Sequence, residues 1–274
     1  EKPIVQDEDA NAVRRLNQFT GPFILRRMKS EVLRELPPKT ENVRRVELET
    51  EQRKLYLAAV VDAREKLRAA KPEDKMTVFA VLMRLREICC DPRLVADNWT
   101  GSSAKLDACL ELVTEAVAGG HRILLFSQFT SMLELLAKRL DEAGVSHFTL
   151  QGSTPKPVRA EQVRRFNQGE ADVFLISLRA GGTGLNLTAA DIVIHYDPWW
   201  NLAAQNQATD RAYRIGQRNP VQVYRLIAQD TIEEKIVELQ QAKQSLADTV
   251  TGGADGAILS MNPEQLLQLL GEEA

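Results

Sequence analysis

The stretch Val173-Phe174-Leu175-Ile176-Ser177 decides the fold, because four apolar residues in a row are typical of a strand covered on both faces. Ile192-Val193-Ile194 is a second run of this kind. Segments with helical spacing of apolar residues alternate with such strands along the second half of the chain. This alternation predicts an α/β fold, a parallel sheet with helices on both faces. The predicted strands here are 122–126, 146–150, 173–177, 192–196 and 221–227, and the predicted helices are 105–117, 131–143, 158–167, 202–214 and 231–247.

The first 98 residues have a different pattern. Apolar spacing predicts helices over 8–36, 51–70 and 75–90, with a short strand over 43–48. Residues 98–103 are polar and contain glycine and serine, which marks a domain boundary. We therefore divide the chain into an N-terminal helical region (1–98), an α/β unit with its last long helix (99–250), and a glycine-rich connector with a short helix (251–274).

The composition excludes several classes of protein. With 274 residues, 44% of them hydrophobic, the chain is long enough to bury a substantial core. It contains no apolar run that could span a bilayer and no signal segment, so we expect no membrane partner and an intracellular location. Three cysteines, two of them adjacent, have the spacing of neither a disulfide framework nor a zinc site, and the three histidines are scattered. The net charge of −3 does not indicate nucleic-acid binding, but a basic stripe on one face is sufficient for it.

Polar residues follow two of the predicted strands at their carboxyl ends, where ligands bind in open α/β sheets. Ser127 and Gln128 can donate hydrogen bonds to phosphate oxygens; the alternative is that this segment only caps the next helix. Gly152 and Ser153 precede another helix, whose N-terminus either binds an anion or is merely capped.

The glycine-rich run over 180–187, Ala-Gly-Gly-Thr-Gly-Leu-Asn-Leu, follows the buried strand at 173–177. Glycine costs stability in regular structure, so this density needs a reason. A loop whose amides approach a phosphate, a sugar or a nucleic-acid backbone supplies one, with Gly182, Thr183, Gly184 and Asn186 as candidates. A tight turn between strand and helix, without any ligand, is the alternative.

Trp199 and Trp200 follow the next strand. Adjacent side chains point in different directions on a regular backbone, and large aromatic residues are usually buried. We therefore expect at least one tryptophan in the core and the other against a sugar or a groove wall. Asn201 is the expected N-cap of the following helix.

Gln207, Arg211 and Arg214 lie at positions i, i+4 and i+7 of that helix, so they share one face. The planar guanidinium suits phosphate oxygens, and ATP is a strong candidate ligand. The sequence has no Gly-Lys-Ser/Thr loop, and neither Asp-Glu pair follows an apolar strand. These features predict half of a nucleotide site, the other half lying elsewhere. The alternative is a solvated helix in which Asp210 is the local partner of the arginines.

In this order, the segments resemble the Swi/Snf family of superfamily-two ATP-dependent DNA translocases, and specifically its C-terminal RecA-like motor lobe. Two positions depart from the family pattern, since Asp91 and Tyr213 stand where histidine is common. The matching segments are 23–39 (the connection between the two lobes), 82–92 (the helical insertion), 103–106 (the start of the second lobe), 126–128 (helicase motif IV), 151–154 (the element after it), 181–187 (motif V), 207–217 (motif VI) and 230–235 (the brace helix).

The resemblance implies a role for each candidate residue. Arg211 and Arg214 would reach the ATP phosphates across the cleft between the lobes, and one of them would be an arginine finger. Gln207, Gly182 and Gly184 would contact or sense the nucleotide. The residues implied in contacts with the DNA backbone are Ser127, Gln128, Gly152, Ser153, Thr183 and Asn186, with Trp199 or Trp200 close to it.

The resemblance also implies partners and cofactors. ATP and Mg²⁺ would be held mainly by the N-terminal RecA-like lobe of the same polypeptide, which these 274 residues lack, so we expect the fragment alone to be inactive. Double-stranded DNA is the expected track, and a DNA-bound protein such as RNA polymerase is a possible cargo. The expected location is the cytoplasm or nucleoid in a prokaryote and the nucleus in a eukaryote.

Three other interpretations stay open. The chain could be a lobe of an RNA-directed or strand-separating helicase, although the sequence has no obvious strand-splitting element. It could be a non-catalytic module that binds nucleic acid or a protein partner. A self-contained α/β enzyme, such as a nucleotide-sugar transferase, would use the glycine-rich loop but leaves the paired arginines unexplained.

Overall fold

A parallel sheet of six strands forms the centre of the molecule. The computed structural model describes residues 36–178, 180, 184–247 and 261–271. Gly182, Thr183, the connector 251–256 and all but the last residue of the predicted helix over 8–36 lie outside these residues. The strands are β1 (Lys39–Val46), β2 (Ile123–Ser127), β3 (His147–Leu150), β4 (Val173–Ser177), β5 (Ile192–His195) and β6 (Val221–Ala228). Their order across the sheet is β1-β6-β5-β2-β4-β3, and every pairing is parallel.

Helices connect these strands and cover both faces of the sheet. Side chains of the expected kind cap three helices: Asp74 accepts a hydrogen bond from the backbone N–H of Thr77, Asn201 accepts one from Ala204, and Asn262 accepts one from Gln265. None of the helices in the described part of the chain is both long and apolar enough to cross a lipid bilayer. The helices are α1 (Thr50–Ala69), α2 (Lys75–Cys90), α3 (Ala104–Ala118), α4 (Thr130–Glu142), α5 (Lys156–Asn167), α6 (Leu202–Thr209), α7 (Ile232–Ala247) and α8 (Pro263–Leu269).

The central strands β2, β4 and β5 are buried on both faces, as their apolar runs predicted. Successive side chains of a strand point to opposite faces, so neighbours enter different clusters. On one face Leu125, Leu175 and Ile194 pack with α3 and α4. On the other face Leu124, Phe174 and Val193 pack with α5 and α6. Burial of each such side chain stabilises the fold by about 1.5–3 kcal/mol. Together these side chains make the sheet a stable support for the loops at its edge.

The N-terminal region is joined to this support through the sheet itself. Strand β1 pairs with β6 along its whole length, from Lys39 opposite Val221 to Val46 opposite Ala228. Helices α1 and α2 pack with α7 and α8 around a separate apolar cluster. The predicted division at residue 98 therefore does not follow the sheet, because β1 belongs to the same sheet as the later strands. The strand also begins four residues earlier than the sequence predicted.

Helix α6 ends at Thr209, so the helix predicted over 202–214 is wrong beyond that residue. In a continuing helix the backbone N–H groups of Arg211 and Ala212 would donate to the carbonyls four positions back. Here they donate three positions back, to Ala208 and Thr209, while the Arg211 carbonyl accepts from the backbone N–H of Leu187 and the Ala212 carbonyl accepts from the side chain of Gln217. The chain after Thr209 is therefore a turn held against the loop 185–190.

Candidate nucleotide and nucleic-acid interface

Gln217 holds the turn after α6 in place. Its buried Nε2 donates to the carbonyl oxygens of Ala190 at 2.7 Å, Ala212 at 3.2 Å and Thr188 at 3.3 Å. Its Oε1 accepts from the two backbone N–H groups that follow it in the chain. One side chain thereby satisfies several buried backbone groups and ties the arginine-bearing turn to the end of the glycine-rich segment.

Arg211 lies in this turn with only 6% of its surface exposed. Its Nε and Nη2 atoms are buried and have no hydrogen-bond partner among the residues that the structure describes. Burial lowers the pKa of Arg211, and the nearby positive charge of Arg214 lowers it further. A buried guanidinium with unused donors is costly unless an anion approaches it. The arrangement can therefore accept a negatively charged group.

Arg214 lies beside the same segment. Its Nη1 donates to the carbonyl oxygen of Leu185 at 3.2 Å, one residue after Gly184. Gln207 is exposed on the last turn of α6. Because the helix ends at Thr209, the three residues do not share one helix face, and this part of the sequence prediction is wrong. The turn, rather than the helix, brings Arg211 and Arg214 to the glycine-rich segment.

Ser127 ends β2 and is fully buried. Its Oγ donates to Asp197 Oδ1 at 2.6 Å and accepts from the backbone N–H of Phe129. The backbone N–H of Gln128 also donates to Asp197, and the Nε2 of Gln128 is buried without a partner in the described part of the chain. Ser127 thus has no surface to offer to a ligand, and we assign it a structural role in place of the predicted DNA contact. Gln128 is half-buried and keeps an unused donor.

Asp197 follows β5 and is fully buried at the carboxyl edge of the sheet. Burial raises the pKa of its carboxyl group, and the facing Arg86 opposes that rise. Arg86, on α2, is also fully buried, and its Nη2 lies 3.3 Å from Asp197 Oδ2. The two residues connect the helical region to the ends of β2 and β5.

Four other predicted contact residues are exposed. Gly152 and Ser153 follow β3, and Gly184 and Asn186 follow β4. A Cβ atom built on Gly152 or Gly184 would meet nothing within 4 Å, so neither glycine is required by crowding within the chain. Open space around a glycine leaves room for a ligand to approach the backbone. The other two members of the glycine-rich segment, Gly182 and Thr183, lie outside the described residues.

The two tryptophans form a tilted pair of rings at this edge. Their ring centroids lie 5.1 Å apart, and both side chains are half-buried. The Trp200 ring packs against Phe79, with centroids 6.2 Å apart, and against the Arg86 guanidinium. The carbonyl of Trp199 accepts a hydrogen bond from the side chain of Gln240 on α7. The Trp200 ring therefore has packing partners on α2, and the backbone of Trp199 is hydrogen-bonded to α7.

A second buried ion pair lies behind this edge. Lys105 begins α3 and Glu233 begins α7; both are fully buried, and Lys105 Nζ lies 2.5 and 2.6 Å from the two carboxylate oxygens. Neither this pair nor Arg86 and Asp197 was predicted as a functional residue. A charged residue within an apolar stretch of sequence could have indicated these four buried residues. Charged residues in such stretches are usually exposed, however, so the sequence pattern alone does not identify the buried ones.

A parallel sheet whose carboxyl edge presents a glycine-rich segment and two arginines defines a class, the RecA-like C-terminal lobe of helicase-type motors. Residues 104–216 match the helicase conserved C-terminal domain, and residues 1–94 match the SNF2-related domain. The chain belongs to this SNF2-related family.

Individual relatives agree with this assignment. The chain is 38% identical to a putative ATP-dependent helicase/translocase, YwqA, of Bacillus subtilis, over 97% of this chain and 30% of the relative. The Sulfolobus solfataricus SWI2/SNF2 ATPase C-terminal domain is 27% identical, with a TM-score of 0.70 over 86% of this chain and 100% of that one. The core of that ATPase in complex with dsDNA is 30% identical, with a TM-score of 0.72 over 95% of this chain and 56% of that one. The chain spans 24% to 30% of the length of the curated relatives it matches.

Proposed function

We propose that this chain is the second motor lobe of an ATP-driven translocase on double-stranded DNA. In this proposal Arg211 and Arg214 complete a triphosphate site whose remaining walls belong to a first RecA-like lobe. The single observation that carries the proposal is the buried Arg211 guanidinium, which has two unused donor atoms beside the glycine-rich segment.

The chemistry expected of these arginines is electrostatic. When ATP is hydrolysed, negative charge accumulates on the transferring phosphoryl group. A positioned guanidinium stabilises this charge and raises the rate of hydrolysis by a factor of about 10³–10⁵. In nucleotide sites of this kind a Gly-Lys-Ser/Thr loop and an acidic residue after a strand hold the phosphates and Mg²⁺, and these 274 residues contain no such loop. We therefore place the ligands of Mg²⁺, and the main phosphate cradle, on the first lobe.

The surface proposed for DNA lies along the same edge of the sheet. Gln128, Gly152, Ser153 and Asn186 offer small polar groups or backbone that can contact phosphates without reading bases. The paired rings of Trp199 and Trp200 lie after the neighbouring strand, where one ring can reach the DNA backbone beside a groove. A relative with the same architecture has been solved with dsDNA, which supports duplex DNA as the ligand here.

ATP hydrolysis by a protein that carries both lobes tests the role of the arginines. We expect the Arg211→Ala and Arg214→Ala variants to lower DNA-stimulated turnover, by about 10³-fold or more for whichever is the finger. Arg218→Ala is the matched control, because Arg218 is an exposed arginine close to the same turn, and it should retain turnover. Retained turnover in both test variants would instead support a non-catalytic binding module.

Two further assays separate the remaining alternatives. A strand-displacement assay next to a duplex translocation assay distinguishes a strand-separating helicase from the proposed translocase. The 274-residue chain alone should hydrolyse no ATP, because it lacks the Gly-Lys-Ser/Thr loop. Strong DNA-stimulated hydrolysis by this chain alone would contradict the division of the site between two lobes.

A further inference from the structure

The side chain of Arg86 makes three contacts with the segment 197–200 at the carboxyl edge of the sheet. Its Nη2 donates to the Asp197 carboxylate and to the carbonyl oxygen of Pro198. Its guanidinium carbon lies 4.4 Å from the centroid of the Trp200 ring. Three of the four consecutive residues 197–200 are therefore in contact with one side chain that belongs to α2, a helix more than a hundred residues earlier in the chain.

The carboxylate of Asp197 extends this contact to the neighbouring strand. Its Oδ1 accepts from Ser127 Oγ at 2.6 Å and from the backbone N–H of Gln128 at 3.2 Å. Arg86 thereby fixes two surface elements at once, namely the turn that carries Gln128 and the segment that carries the tryptophan pair.

Stability alone does not account for this arrangement. A buried ion pair is often no more stabilising than apolar residues of similar volume. Arg86 also has two buried atoms, Nε and Nη1, without a hydrogen-bond partner in the described part of the chain, so the site is not fully satisfied. What the guanidinium does provide is a fixed geometry, since its Nη2 donates to the Asp197 carboxylate and the Pro198 carbonyl while the planar group lies over the Trp200 indole ring.

We propose that Arg86 is a positioning residue for duplex DNA, acting through Asp197 and Trp200 to hold Gln128 and the tryptophan pair against the DNA backbone. The inference rests on the proposed function, because it requires a DNA surface at this edge. Loss of Arg86 would leave the tryptophan pair with alternative orientations and weaken DNA binding without changing the phosphate-directed arginines.

Steady-state ATP hydrolysis by the protein with both lobes, measured against duplex DNA concentration, tests this role. For Arg86→Met we expect the half-maximal DNA concentration to rise about tenfold, while turnover at saturating DNA stays within about twofold. For Arg86→Lys, which keeps the charge but loses the planar guanidinium over the Trp200 ring, we expect a rise of about threefold. Arg84→Met is the matched control, because Arg84 lies on the same helix with its side chain exposed, and it should leave the DNA concentration unchanged.

Near-ultraviolet circular dichroism measures the environment of the tryptophan rings. If Arg86 acts only on stability, the change in this signal should not follow the change in DNA binding. Arg86→Met and Arg86→Lys should alter the tryptophan signal in proportion to the DNA effect, and Arg84→Met should not. If Arg86→Met does not fold, Asp197→Asn replaces it, since the amide oxygen can still accept from Ser127 and Gln128 while the charge facing Arg86 is removed.

The outcomes separate this inference from the proposed function. A lower unfolding temperature with an unchanged half-maximal DNA concentration would make Arg86 a structural residue and overturn the inference. Equal losses of turnover and DNA binding would also overturn it, because they indicate general damage. A wild-type protein whose ATP hydrolysis does not respond to DNA would instead reject the proposed function itself.

Discussion

Neutralising Lys105 alone should destabilise the lobe more than neutralising Lys105 and Glu233 together. Both side chains are fully buried, and the carboxylate of Glu233 also accepts from the backbone N–H of Ala228 at 2.8 Å. Burial is the largest single influence and disfavours the charge on Lys105, but the facing Glu233 carboxylate together with Cys90 and Cys89 outweighs it, so the pKa of Lys105 is raised above its usual value. Its contribution is therefore complete at pH 7 and is lost only as the pH rises through the folded-state pKa.

The size of the effect follows from these contacts. Lys105→Met leaves a buried carboxylate without its cation, which costs about 3–5 kcal/mol. Glu233→Gln keeps an acceptor for the Ala228 N–H but leaves the lysine unpaired, at a similar cost of about 3–5 kcal/mol. The double variant has neither charge, and we expect it to lose only about 0–2 kcal/mol.

Urea unfolding of the four proteins at pH 7, followed by circular dichroism and by tryptophan fluorescence, measures this coupling. Coincident transitions by the two probes are required before free energies are compared. A double variant that loses the sum of the two single losses would refute the reasoning, because additive effects mean that the two charges do not interact.

Two further predictions concern buried polar residues. Burial, assisted by Arg225, lowers the pKa of His195 to about 3, so the unfolded state binds a proton below pH 6.5 that the folded state does not. Stability should fall by about 2 kcal/mol between pH 7 and pH 5 in urea titrations, and His195→Gln should remove this loss; equal losses in both proteins would contradict it. Gln217→Ala should cost about 2–4 kcal/mol, because it leaves buried backbone groups unsatisfied, whereas exposed Gln207→Ala should cost below about 0.5 kcal/mol. Similar costs for both in urea unfolding would reject a stabilising role for Gln217.

The interior strands and most helices could be predicted because their signals are local. Four apolar residues at 173–176 are typical of a strand covered on both faces, and that strand is confirmed. The N-cap at Asn201 and the short helix after the glycine-rich connector were likewise predicted from neighbouring residues and are confirmed. The RecA-like fold is confirmed by the parallel sheet and by the solved relatives.

The features that failed depend on contacts between distant parts of the chain. The helical spacing after Asn201 extends to Arg214, but the helix ends at Thr209, and the turn that follows is held by bonds from Leu187 and Gln217 to the carbonyls of Arg211 and Ala212. Local propensity cannot anticipate such long-range contacts. The pairing of β1 with β6 is equally non-local, and its exposed residues give only a weak strand pattern.

Buried charges are invisible to sequence patterns for a related reason. Arg84 and Arg86 are the same residue type two positions apart on α2, yet one is exposed and the other has no exposed surface. Helical spacing distinguishes their faces, but only the presence of Asp197 across the interface makes the second position suitable for a charge. The roles of Arg211 and Arg214 stay a prediction that the kinetic variants will test.

The order of strands in the sheet delays the pairing of β1 during synthesis of the chain. Strand β1 is made early, but its hydrogen-bonding partner β6 lies about 180 residues further along. At roughly 5–20 residues per second, β1 emerges roughly 10–40 s before it can pair. During that interval Lys39, Glu41, Arg44 and Arg45 keep the unpaired strand charged, which discourages association with neighbouring nascent chains.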